Sequence, residues 1–169
     1  MKKLTQLKLY TENDPDFMVH SRFNDIVFPE SDTVISTCQN YLCITSIDIK
    51  PHPRDGSYLT GQFEMALPYL KWFLAVKARF ALSPDQGGYP PGEMSDIIQL
   101  DADNQVFVFR GPHFGNRGLM RFALENRKRA SYINPRSEQE IDLYDLYFEE
   151  CGLLETFFDI QKNYEDGKL

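Results

Sequence analysis

Residues 68–82 set Tyr69, Leu70, Trp72, Phe73, Leu74, Val76, Phe80 and Leu82 nearly all the way round one helix, and Pro68 suits its first turn. A helix with so little polar surface has to be covered by other elements, so it is predicted to be central and buried. Nothing else in the chain constrains the fold as strongly. With 13 Phe, 9 Tyr and 1 Trp in 169 residues, the covering elements have bulky side chains to offer.

Most of those elements read as strands. Residues 33–38 and 41–49 are rich in β-branched side chains, with Gln39-Asn40 as a hairpin turn. Ile44, Ile47 and Ile49 do not share one alternation, which predicts either a bulge or burial on both faces. Residues 97–100 and 106–109 form a second hairpin around Asp101-Ala102-Asp103-Asn104, a turn that could also offer oxygens to a hard cation. Residues 4–10 alternate loosely as a first strand. Asp14-Pro15 suits a helix start running to Phe23, although a strand fits nearly as well; residues 58–66 read as a strand or a first helical turn.

Loops punctuate these elements at 51–56, at the Pro- and Gly-rich 83–93, and at the Gly-rich 111–118. Residues 119–129 then read as a basic helix. Ser137 and Glu140 have capping-box spacing, which predicts a helix from 137 to at least Cys151, a break at Gly152 and more helix over 153–164. The expected fold is therefore α+β, a single globular domain over 1–169. It has a mainly antiparallel sheet of about five strands, packed by the central apolar helix and a C-terminal acidic amphipathic helix.

Charge is unevenly spread. The chain carries net −7, yet 110–129 holds six basic residues against Glu125, and 137–169 holds ten acids against two lysines. On a helix, Glu138, Asp142, Asp145 and Glu149 share one face while Ile141, Tyr144, Tyr147, Phe148, Cys151 and Leu154 occupy the other. That carboxylate stripe is the candidate partner-binding surface. Arg110, His113, Arg117 and Arg121 bracket the second Gly-rich loop and are the candidate anion-binding set. The loop matches neither the phosphate-binding nor the dinucleotide fingerprint. Arg117, Arg121 and Arg127 could equally neutralise the acidic helix.

Catalytic and metal signatures are not found. His20, His52 and His113 are scattered, and no Cys pair has zinc-ligand spacing. Cys38, Cys43 and Cys151 read as buried free thiols, the first two able to face each other on the hairpin. Lys2-Lys3 is not followed by an apolar run of signal-peptide type, and no stretch reaches membrane-spanning length, so a cytoplasmic chain with no membrane partner is expected. Net −7 repels a polyanion, so nucleic acid is not an expected partner.

In its acidic character and in the stripe Glu138, Asp142, Asp145 and Glu149, the chain resembles small acidic bacterial toxin-immunity proteins. The resemblance implies a cytosolic binding protein that occludes the active site of one cognate toxin, most naturally a basic nuclease, with no catalysis and no cofactor. Another charged protein would suit the same surface. The competing expectation is a small anionic-ligand-binding or enzymatic α+β domain that grips its ligand with Arg110, His113, Arg117 and Arg121.

Overall fold

The computed structural model describes residues 5–169. It is α+β, with two four-stranded antiparallel sheets in place of the single sheet of about five strands expected from the sequence. The first runs β1 (Phe17–Asn24), β2 (Ser31–Cys38), β3 (Tyr41–Asp48), β4 (Thr60–Ala66), in that spatial order. The second runs β5 (Ser95–Ile98), β6 (Val106–His113), β7 (Leu119–Ala130), β8 (Glu138–Tyr144). Helix α1 (Pro68–Phe80) links them, and α2 (Asp145–Glu150) and α3 (Leu153–Glu165) close the chain.

The β2–β3 hairpin forms at Gln39-Asn40 with Gln39 in the left-handed region, φ 53°. Its register is regular through to β4, so there is no bulge: Ile44 and Ile47 are covered on opposite faces, and Ile49 lies exposed beyond the strand. Ile35, Leu42, Ile44, Phe63 and Met65 face the main core. Val34, Cys38 and Cys43 face a smaller cluster covered by Tyr10, Phe17 and Leu7.

The main core runs through both sheets. Phe73 of α1 meets Phe122 of β7 and Phe157 of α3 at ring-centroid distances of 5.7 and 6.1 Å, and Phe148 of α2 lies 6.1 Å from Phe122. Each such pair adds about 0.5–1.5 kcal/mol beyond the area it buries. Helix α1 is less enclosed than its composition suggests. It buries Tyr69, Leu70, Phe73 and Val76, but Lys71, Ala75, Ala78 and Arg79 stay exposed.

Four expectations change. Residues 5–10 form no sheet strand, only a bridge from Thr5 to Arg129, and Leu4 lies outside the described residues. The helix considered over 14–23 is strand β1, which pairs with β2. The basic helix over 119–129 is strand β7, and the acidic helix over 137–151 is mostly strand β8, with helix only from Asp145. Both strands alternate: Phe122 and Leu124 point to the core with Ile141 and Leu143, while Arg121, Ala123, Glu140 and Asp142 point outward. Period two governs these segments because a sheet face, not a helix stripe, is being buried.

Candidate functional site

The basic stretch folds as the end of β6, the turn 114–118 and β7, and most of its cations meet a carboxylate. Arg110 lies on the core side of β6, over the Phe122 ring at 4.5 Å, and grips Asp145 with two bonds of 2.6 and 2.8 Å. This bidentate geometry is the strong form of the Arg–carboxylate pair. Arg121 donates to Asp142 at 2.6 Å and also to the carbonyls of Gly111 and Pro112. His113 Nε2 approaches the same carboxylate at 3.6 Å. Arg127 bonds Glu125 at 2.8 Å and stacks on Phe107. Arg117, in the left-handed region at φ 54°, is exposed at the turn and has no ion pair among the described residues.

The anion-binding candidates are therefore not gathered. His113 and Arg121 line a cavity of about 360 Å³ on the outer face of the second sheet, with Glu125, Glu140 and Asp142. Arg110 lines a different cavity of about 120 Å³, with Lys77, Asp145 and Glu149. No described cavity holds both Arg110 and His113. Two of the four guanidinium and imidazole groups, Arg110 and Arg121, are already bound to carboxylates.

The four partner-binding candidates also separate. Glu138 and Asp142 stand on the outer face of β8, while Asp145 and Glu149 belong to α2. Asp142 and Asp145 are held by arginines, leaving Glu138 and Glu149 exposed. The stripe inferred for a helix does not exist as one surface.

A different acidic face takes its place. On α3, Glu155, Phe158, Asp159 and Lys162 fall within about a 100° arc, opposite the buried Leu153, Phe157 and Ile160. Glu149 and Glu150 end α2 just before it. Glu149, Glu150, Glu155 and Asp159 are exposed and have neither an ion pair nor a hydrogen bond among the described residues. Phe158, 54 % exposed, lies between Glu155 and Asp159 on the α3 face. The sequence carries the signal for this face, because residues 153–164 read as a helix with Glu155 and Asp159 on one side.

A second polar cluster is buried where the sheets meet. Glu64 of β4 is fully buried and accepts from the Leu7 amide at 3.1 Å, from Gln62 Nε2 at 3.1 Å and from the Tyr132 hydroxyl. Arg129 lies 3.7 Å from it, stacked 4.4 Å from the Tyr41 ring and bonded to the Tyr41 hydroxyl. Burial and the Glu64 carboxylate push the Tyr132 phenol well above its ordinary value. Nothing in the sequence distinguished Glu64, and Arg129 read as part of the basic surface.

The thiols are not poised as nucleophiles. Desolvation pushes Cys38, Cys43 and Cys151 above the usual thiol range, so they are protonated at neutral pH. Asp101 closes its turn by accepting from the Asp103 and Asn104 amides at 2.7 and 2.8 Å, which accounts for the acidic cluster there. Among the described residues no group of three or more His, Cys, Asp and Glu has metal-binding geometry, and no helix is long and apolar enough to cross a membrane. Compared with protein-family models, curated proteins and solved structures, the chain matches none.

Proposed function

We propose that this chain is a binding protein for a basic protein partner, acting as a toxin-immunity inhibitor that covers a cognate nuclease, and that α2–α3 is its contact face. One observation supports the reading above the others. The basic stretch is largely neutralised inside the fold by Asp142, Asp145 and Glu125, whereas Glu149, Glu150, Glu155 and Asp159 form no ion pair among the described residues, and Glu155 and Asp159 flank an exposed Phe158 on α3. Uncompensated carboxylates on one face steer a basic protein into encounter. An exposed aromatic side chain beside two of them supplies the apolar anchor that steering alone does not. A nuclease surface, shaped to hold phosphates, is the matching chemistry.

The test uses two baits in lysate of the native cell: the wild-type chain, and a variant with Glu149→Gln, Glu150→Gln, Glu155→Gln and Asp159→Asn. Because all four side chains are exposed, the variant is expected to fold normally. The wild type is expected to retain a basic protein that the variant releases, with retention falling as salt rises. Equal recovery by both baits, or a captured partner that is acidic, would contradict the reading.

A further inference from the structure

We propose that the edge of β4 is a docking site for an extended peptide segment of a partner protein, which pairs with Thr60 and Gln62 in the cleft between the two sheets. β4 is the last strand of the first sheet. Glu64 shows which way its edge faces. The Glu64 amide donates to Gln139 Oε1 at 2.8 Å, and the Glu64 carbonyl accepts from Asn126 Nδ2 at 2.8 Å. Both groups thus point away from β3. Backbone direction alternates along an antiparallel strand, so the amides and carbonyls of Thr60 and Gln62 point the same way. Leu59, on the opposite phase, bonds to Asp48 of β3 as this requires. None of the four outward groups of Thr60 and Gln62 has a hydrogen-bond partner among the described residues.

Asn126 and Gln139 take the place of a neighbouring strand at Glu64 and go no further. Beyond them the two sheets part around a cavity of about 420 Å³ whose apolar walls are Ile44, Phe63, Ile133 and Ile141. Ile133 closes over the face of the strand at Gly61, where a Cβ would lie 3.4 Å from its Cδ1. Unpaired amides and carbonyls in alternation are matched by one chemistry, another extended backbone, with the apolar walls receiving its alternate side chains. The edge is recessed between β4 and residues 131–137, which admits a single strand more readily than the sheet of a second copy. Glu140 stands at the rim of the cleft with its side chain on the outer face of β8 and has no ion pair among the described residues, so it favours a segment that carries Lys or Arg beside its apolar residue where it leaves the cleft. The site is separate from α2–α3 and does not depend on that face being used.

A phage-displayed library of random dodecapeptides, panned on the wild-type chain, tests the proposal. Enriched peptides are expected to carry a basic residue next to an apolar one and to slow hydrogen exchange at the Thr60 and Gln62 amides. They are expected to lose about tenfold or more in affinity for Thr60→Pro, which deletes one outward donor at the first strand position, where proline is tolerated. Ile133→Asp, at a side chain 61 % exposed, should weaken them without touching the strand. Thermal melts matching the wild type show that both variants fold. The absence of any enriched peptide, or peptides that bind both variants as tightly as the wild type, would overturn the proposal. Thr60 and Gln62 amides already protected in the free chain, whether by its own residues or in a concentration-dependent dimer, would overturn it as well.

Discussion

Arg129 ends a run of three basic residues, Arg127-Lys128-Arg129, yet it is the one that turns inward. The β7–β8 register breaks between Asn126 and Ala130, and the extra residues of that irregularity bring the side chain to Glu64. Removing one member of a buried pair leaves the other charged and unsolvated, which costs about 3–5 kcal/mol. Glu64→Leu should lose stability of that order in urea unfolding, because the Leu7 amide, Gln62 Nε2 and the Tyr132 hydroxyl lose their acceptor and Arg129 loses its counter-charge. Adding Arg129→Met should restore part of the loss, since the stranded cation is then gone. A single variant within about 0.5 kcal/mol of wild type would mean that water already reaches the pair. The sequence could not show this contact. Burial of one basic residue among the six of 110–129 is decided by a bulge and by a partner far away in the chain, and neither leaves a local mark.

Elements were legible where one period had no rival. Helix α1, the β2–β3 hairpin, the β5–β6 hairpin and α3 all follow from patterns that a second reading does not fit. The segment 137–144 had two readings. Glu138 and Asp142 are four apart, a spacing that is both one helical turn and an even number of strand residues, so the two share a face either way. Asp145 lies an odd number of residues from Glu138, and here the readings diverge. The alternation of Gln139, Ile141 and Leu143 with Glu138, Glu140 and Asp142 is the pattern of the observed strand, whereas the capping-box spacing of Ser137 and Glu140 points to the helix expected from the sequence. At Gly152 the sequence and the structure agree: it breaks α2 from α3 at φ 69°. A side chain there enters the left-handed region at a cost of about 1–2 kcal/mol. Gly152→Ala should therefore lower the urea midpoint by a corresponding amount. An unchanged midpoint would mean that the α2–α3 junction relaxes to another geometry.

The whole molecule turns a charge segregation along the chain into a different one in space. The basic stretch and the first acids after it neutralise each other through Arg110–Asp145, between β6 and α2, and Arg121–Asp142, between the neighbouring strands β7 and β8. What the sequence shows as two blocks of opposite sign becomes a paired region on the second sheet and an unpaired acidic face on α2–α3. Part of the net −7 is carried there by the exposed Glu149 and Glu150 of α2 and by Glu155 and Asp159, which flank Phe158 on α3. Amide chemical shifts during titration with a lysine heptapeptide read that distribution directly. At low salt, the shifts of Glu149, Glu150, Glu155, Phe158 and Asp159 should move most, and the effect should fade at about 0.5 M salt, where the Debye length is only about 4 Å. Shifts concentrated instead on Glu138, Glu140 and Asp142 of β8, or spread evenly over the surface, would contradict the assignment of α2–α3 as the face that receives a basic partner.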